Sequence, residues 1–327
     1  MPYRDFAVEY PPGALPVFVL PAFFGDYPGT FAWLMAGCGV ALVAVLTLVR
    51  REAAIYAALA PVLIGSLILS RFDLWPTLLF VGALAALLAE RHSLGWGLLG
   101  GAVAAKLWPL VVVPLALVWS IRHGRGRAAL VGALVVAIAF VPFAIVAPHG
   151  MWHSLRGQAS RPLQVESLVA AFLTTFGHPH VVSTHGSQNL AGHGLAAGVL
   201  SATGVVVIVA LWIGFAAGDP TPERLLRYVA ASVCAFVAFD KVLSPQYLLW
   251  LIPLVPLVRG RRGVAATVLL TIACVLTQVW FPFRYWAYVD RFHLAWVVLL
   301  RDVVLLVLLA VLALPAPTRR RAAPSTQ

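Results

Sequence analysis

Charged residues are scarce in this chain, and several stand where they could do chemistry. The stretch Pro2-Tyr3-Arg4-Asp5-Phe6-Ala7-Val8-Glu9-Tyr10-Pro11-Pro12 brings two carboxylates, Asp5 and Glu9, close together. Arg71, Asp73, Lys106, Asp240, Lys241, Arg301 and Asp302 lie inside or at the edges of apolar runs. An ionisable group in such a run costs about 3 kcal/mol or more unless it is paired or wet, so it marks function by default. Arginine forks grip phosphate oxygens in pairs. A carboxylate nearby can take a proton from a hydroxyl, an effect worth about 10²–10⁴ in rate. A packing alternative stands beside each. The first stretch fits an interfacial loop, and Arg71/Asp73, Asp240/Lys241 and Arg301/Asp302 can each neutralise themselves locally. Lys106 has no acid beside it, so it needs a partner from elsewhere.

The elements that hold these groups follow from composition. The chain has 327 residues, 61% hydrophobic and 11% charged, with mean hydropathy +0.93. Soluble domains carry about a quarter charged residues, so this chain cannot cover a water-facing surface. Apolar runs follow one another almost without a break, and a run of about 20 residues crosses lipid as a helix that satisfies its own backbone. The fold class is therefore all-α, a polytopic membrane protein forming one domain over residues 1–327. The net charge of +11 rests on arginine, the only lysines being Lys106 and Lys241. The arginines sit in short loops, which points to topology and headgroup contacts rather than nucleic acid. Cys38, Cys234 and Cys274 each fall in an apolar run and imply packing, with no disulfide or metal framework.

Placing the basic loops Arg50-Arg51, Arg91, Arg122 to Arg127, Arg224 and Arg227, Arg259 to Arg262, and Arg319 to Arg321 in the cytoplasm satisfies the positive-inside tendency. Eleven crossings result, near 30–49, 54–70, 74–89, 94–105, 108–120, 128–147, 194–216, 225–240, 244–258, 263–281 and 296–315. The two short ones are expected as half-helices meeting at Lys106-Leu107-Trp108-Pro109. Residues 1–29 form a first external loop, 148–192 a long external loop and 317–327 a basic cytoplasmic tail. An odd count leaves the N-terminus outside with nothing to deliver it, so a first helix is expected upstream of Met1. In the long loop, Arg161-Pro162 resembles a helix start. Val165, Leu168, Val169, Phe172, Leu173 and Phe176 then recur at helical spacing, as in a helix lying in the interface. Gly95-Trp96-Gly97-Leu98-Leu99-Gly100 fits a dinucleotide pattern but follows no strand. Close helix packing is the better reading, with Gly97 and Gly101 at small-xxx-small spacing. The histidines of the long loop show no firm ligand spacing.

By this topology the acids, the cations and Gln158, Gln164 and Gln246 all emerge on the non-cytoplasmic face, a setting suited to an anionic lipid headgroup. Five segments there occur in a telling order: Pro2 to Pro12, Arg71-Phe72-Asp73, Lys106-Leu107-Trp108-Pro109, Arg161-Pro162-Leu163-Gln164-Val165-Glu166-Ser167 and Ser244-Pro245-Gln246-Tyr247-Leu248-Leu249-Trp250. Together they resemble the GT-C membrane glycosyltransferases of glycosyltransferase family 87, relatives of polyprenol-phosphate-mannose-dependent mannosyltransferases. The likeness covers essentially the whole chain. It implies inverting transfer of a hexose, with mannose expected, from a polyprenyl-phosphate sugar to a lipid-linked or cell-envelope acceptor outside the plasma membrane. No cofactor or metal is implied, and the partners are the donor, the acceptor and the bilayer. The resemblance also implies a general base in the first external loop, for which Asp5 and Glu9 are the candidates. In the family that aspartate lies soon after a first helix, so the true base is alternatively expected upstream of Met1. Arg71, Lys106, Arg161 and Lys241 are the candidates for the donor phosphate. Tyr10, Asp73, Gln164, Glu166, Gln246, Tyr247 and Trp250 are those for sugar or acceptor. The rival from another class is a transporter or flippase for a lipid-linked anion, which would use the same cations without a base.

Overall fold

Five helices are long and apolar enough to cross a membrane, namely Tyr27–Val49, Gly126–Val146, Gly194–Ala216, Gly260–Trp280 and Ala295–Ala313. They belong to a computed structural model that describes residues 1–314 and is helical almost throughout; the expected basic tail over 317–327 lies outside the described residues. Leu134, Ile138 and Ile145 stand exposed on Gly126–Val146, a continuous apolar surface suited to lipid. The helix Pro222–Phe239 fills the centre and buries Val229 to Ala235 without a gap. Its small residues Ala230, Ala231, Ser232 and Ala235 let the helices Gly194–Ala216 and Ala295–Ala313 pack close on either side, as small side chains do between membrane helices.

Shorter helices match other expected crossings, and two expected spans are broken. Residues 54–70 divide into Arg51–Ala58, Ala60–Ile64 and Leu67–Ser70, because Pro61 cannot continue the first helix and Gly65 takes a positive φ of 63°. Residues 244–258 divide into Pro245–Tyr247, Leu248–Leu251 and Val255–Leu257, interrupted by Pro245, Pro253 and Pro256. The chain breaks at Lys106 as well, between helices His92–Ala105 and Val113–Arg122. Among the described residues, the expected eleven crossings, two of them short, correspond to five helices of spanning length and several short or divided ones.

The stretch 148–192 between the long helices carries regular structure of its own. It holds the helices Pro148–Ala159 and Leu168–Phe176 and a hairpin that pairs Val181–Thr184 with Ser187–Leu190. The helix expected to start at Arg161 starts instead after Ser167. Residues 163–165 are held against the hairpin and the Lys241 turn, since Gln164 N–H donates to the Lys241 carbonyl and Val165 N–H to that of Gln188, and the chain then turns, Ser167 N–H donating to the Gln164 carbonyl at 3.0 Å. Val165 is buried, while Phe172 and Phe176 project outward from the helix.

Contacts sort the ends of the bundle. The Arg50 guanidinium donates to the Val258 carbonyl at 2.8 Å, Arg122 to that of Gly218 at 2.6 Å, and Arg259 pairs with Glu223 at 3.4 Å. The basic loops therefore meet one another. Tyr10, Arg71, Lys106, Arg161 and Lys241 gather around one cavity elsewhere, and Pro222–Phe239 runs from the basic group at its start to Asp240 at its end.

The tight helix crossing is made by Gly100, next to Gly101, and not by the Gly97 and Gly101 of the spacing. A methyl on Gly100 would lie 2.5 Å from the Gly132 carbonyl oxygen, whereas one on Gly97 or Gly101 would meet only side-chain carbons at 3.6 Å. Gly100→Val is expected to lower the melting temperature of the detergent-solubilised protein, overpacking of this kind costing about 1–3 kcal/mol. Gly97→Ala should melt like the parent.

Candidate functional site

The site is built where chain breaks bring polar residues to the end of an apolar bundle. Lys106 caps the helix His92–Ala105, and Asp73 precedes the helix Leu74–Leu88. The Lys106 ammonium donates to the Asp73 carboxylate at 2.7 Å, with the carboxylate 1% exposed. The Trp250 indole donates to the same oxygen at 2.7 Å. Four rings surround the ammonium: Phe72 at 4.9 Å, Trp250 at 5.0 Å, Tyr247 at 5.5 Å and Tyr10 at 5.9 Å. Cation–π attraction strengthens when such a group is desolvated. Trp250 itself stacks between Trp108 and Tyr247. Lys106 thus finds the distant partner its isolation demanded. The expected local pairing of Asp73 with Arg71 does not form.

The first segment is fastened onto this group. A methyl on Gly13 would lie 2.5 Å from the Ala104 carbonyl carbon, so only glycine lets the Pro11-Pro12-Gly13 turn lie against the end of the helix that carries Lys106. The Trp75 indole donates to the Gly13 carbonyl at 3.1 Å, and the Tyr3 hydroxyl to that of Tyr10 at 2.5 Å. Gln158 holds the Glu9 carbonyl at 3.1 Å.

A cavity of about 740 Å³ opens beside the ring cluster. Glu9, Tyr10, Arg71, Lys106, Arg161, Lys241, Gln164, Glu166, Gln246, Tyr247 and Trp250 all line it, and Asp73 sits behind Lys106. Asp5 does not line it. Its carboxylate is exposed, bound by Arg4 at 2.8 Å and by the N-terminal amine at 2.5 Å; these partners hold it well below the usual carboxylate range. The first-loop acid at the cavity is Glu9, which takes Arg161 at 3.3 Å and Gln158 at 3.4 Å on one oxygen. Arg161 also donates to the Ser187 hydroxyl at 3.2 Å. Lys241 donates to the Ala159 carbonyl at 2.8 Å. Among the described residues, Arg71 and Lys241 form no ion pair, so two positive charges face the cavity uncompensated.

Further residues outside the expected donor, sugar and base sets line the cavity. Asp240 lines the cavity and does not pair with Lys241; its Oδ1 accepts the Val242 N–H at 2.9 Å. Burial raises its carboxyl, against the charges of Lys241, Arg161 and Lys106. Adjacency to Lys241 had suggested a self-neutralising pair. Tyr285 and Trp286, from the short helix Tyr285–Arg291, and Ser187 and Gln188, from the hairpin, complete the wall. The aromatic run from Phe281 to Trp286 was the one available signal for the former.

Glu166 is 2% exposed, and its Oε2 has no partner. Burial lifts its carboxyl to about 7, against the pull of Gln164, Arg301 and Tyr285. Its backbone is pinned because the Arg301 guanidinium donates to the Glu166 carbonyl at 2.7 Å. Arg301 and Asp302 pair locally at 2.6 Å, as the spacing allowed. The Gln164 amide donates to Ser244 at 3.2 Å. The cavity therefore offers cations for a phosphate, one open carboxylate at Glu9, and neutral donors and acceptors for hydroxyl groups. Among the described residues, no group of histidines, cysteines and acids could hold a metal ion.

The family model described as Glycosyltransferase family 87 matches residues 8–245. No curated protein and no solved structure matches the chain.

Glu166 generates a pH prediction. A carboxyl whose value is raised on folding binds its proton more tightly in the folded state. Its contribution is therefore fully present below the unfolded value near 4.5 and is lost as pH rises through about 7. Glu166→Gln removes that slope. The variant should match the parent near pH 5 and exceed it at pH 8 by on the order of 3 kcal/mol, read from melting curves at both values. Equal gaps at both pH values would show that Glu166 is not buried in its neutral form.

Proposed function

Because the chain belongs to glycosyltransferase family 87, we propose that it moves a hexose, mannose being the expected sugar, from a polyprenyl-phosphate donor to a lipid-linked or cell-envelope acceptor. That it is a membrane glycosyltransferase follows from the family and from its apolar helices. The donor, the sugar and the outer face of the plasma membrane are the proposed part. The observation that carries the proposal is the single cavity in which the uncompensated Arg71 and Lys241 stand with the Glu9–Arg161 pair at the end of an apolar bundle. Loops rich in arginine favour the cytoplasm, a tendency that supports an outward-facing cavity at the other end of Pro222–Phe239.

In this reading the donor phosphate rests against Arg71, Lys241 and Arg161. The sugar lies over Tyr247 and Trp250, with Gln164, Glu166 and Gln246 on its hydroxyls. An acceptor hydroxyl attacks the anomeric carbon from the face opposite the phosphate. The bond from that carbon to the phosphate oxygen breaks, the new glycosidic bond forms with inversion, and the hydroxyl proton passes to Glu9. Fixed positive charge stabilises the electron pair that stays on the leaving phosphate. Lys106, already neutralised by Asp73, holds the wall in place and adds little to the phosphate. Tyr10 remains a neutral hydroxyl donor, its phenol pushed up to about 12 chiefly by burial.

The test is incubation of membranes carrying the protein with radiolabelled polyprenyl-phosphate mannose. A new labelled glycolipid is expected, and Glu9→Gln should lower its formation by about 10²-fold or more. Asp5→Asn should leave the rate nearly unchanged. Full activity in Glu9→Gln would remove Glu9 from the mechanism and pass the role to Asp240, to be tested by Asp240→Asn. Movement of the donor across the membrane without any new glycolipid would support the flippase instead.

A further inference from the structure

A second recess, of about 500 Å³, lies at the start of the helix Pro222–Phe239 and is lined by Arg224, Arg227, Arg259 and Arg262 with Asp219 and Glu223. The cavity described above touches the other end of that helix at Asp240, which is about 27 Å away at 1.5 Å per residue. Three of the four arginines, Arg224, Arg227 and Arg262, are half-buried. Among the described residues, the one ion pair in the recess joins Arg259 to Glu223, at 3.4 Å between two exposed side chains. The inner arginines are held by other means. Arg224 donates to the Gly214 carbonyl while its Nε is buried without a partner. Arg227 reaches toward the Leu314 carbonyl at 3.5 Å. Both lie against the Tyr228 ring, at 4.8 and 4.9 Å.

Two helices also begin here. Pro222–Phe239 is capped by the Thr221 hydroxyl, but Gly260–Trp280 has no side-chain cap at Arg259. The first N–H groups of an uncapped helix favour an anion. Clustered guanidiniums repel one another in a place of reduced polarity, and a shared phosphate would relieve that repulsion. The surface near the recess suits an acyl chain: Val264, one turn into Gly260–Trp280, is 66% exposed, and Ile213, beside the Gly214 that receives Arg224, is 65% exposed.

We propose that this recess binds a phosphate group carried by an anionic phospholipid of the adjoining leaflet. The site is separate from the transfer cavity and stands whether or not that cavity transfers sugar. Basic pockets between membrane helices hold such headgroups, each arginine near the surface contributing about fivefold in affinity.

The full chain, purified in neutral detergent, is titrated with phosphatidylglycerol and separately with phosphatidylcholine, and bound lipid is read by native mass spectrometry. Phosphatidylglycerol should bind saturably and phosphatidylcholine should not. Arg227→Gln with Arg262→Gln should weaken binding by about 25-fold, while Arg51→Gln, an exposed arginine outside the recess, should have no effect. Should the double variant fail to fold, Arg262→Gln alone carries the test with about a fivefold loss. Competition with inorganic phosphate separates the two sources of the group. Retained lipid supports the headgroup, and displaced lipid supports a site for the free ion. Equal binding of both lipids, or an equal loss in Arg51→Gln, would overturn the site in favour of diffuse surface charge.

Discussion

The ion pair between Lys106 and Asp73 is the contact around which the rest of the site is arranged. Neither charge could be left alone at the end of an apolar bundle, where a lone ion loses far more hydration than packing returns. Together they are tolerable because each is over-determined. The carboxylate oxygen takes a second hydrogen bond from Trp250, and the ammonium faces four aromatic rings. This one contact joins the ends of His92–Ala105 and Leu74–Leu88 to the divided segment that carries Tyr247 and Trp250. The turn at Gly13 then presses the first segment onto the same point. Segments far apart in sequence become one wall.

Chemistry follows from what that pair leaves over. With Lys106 satisfied, the charges free to meet a ligand are Arg71 and Lys241, and Arg161 is shared with Glu9. The breaks that expose these residues would be liabilities in an uninterrupted helix bundle. Lys106 needs the end of a helix, Gln164 and Glu166 need a bridge to the hairpin followed by a turn, and Asp240 needs a helix end followed by a turn. Irregular backbone at membrane depth is tolerated where it lines a polar cavity, and here it does. A membrane glycosyltransferase needs such a polar surface for its sugar donor and its acceptor.

Much of this was legible in the sequence because lipid imposes a simple rule on apolar runs. The run at 194–216 matches the helix Gly194–Ala216 at both ends, and the break at Lys106 was foretold by Pro109. The crossings at 54–70 and 244–258 were read as continuous, since hydropathy registers apolar composition and is blind to the breaks at Pro61, Gly65 and Pro256. Local reasoning failed most clearly on pairing. Asp73 lies two residues from Arg71 and 33 from Lys106, yet it pairs with the distant cation, because only the tertiary fold brings the ring cluster around them. Residues 161–167 looked like a helix start by composition. They instead bridge to the hairpin and then turn, because the N–H groups of Gln164 and Val165 are claimed by Lys241 and Gln188, partners that no window of sequence contains. Asp5 and Glu9 were equivalent by spacing, and the turn at Gly13 separates them by bringing only Glu9 to the cavity.

The most direct measurement is a double-mutant cycle on Lys106 and Asp73, with unfolding in detergent as the readout. Removing one partner strands a buried charge, so Lys106→Met and Asp73→Leu should each cost about 3–5 kcal/mol. The double variant leaves no charge behind and should recover much of that loss, with a coupling of up to about 3 kcal/mol. Losses that simply add would mean that the two groups do not meet in the folded protein, and the wall described here could not exist.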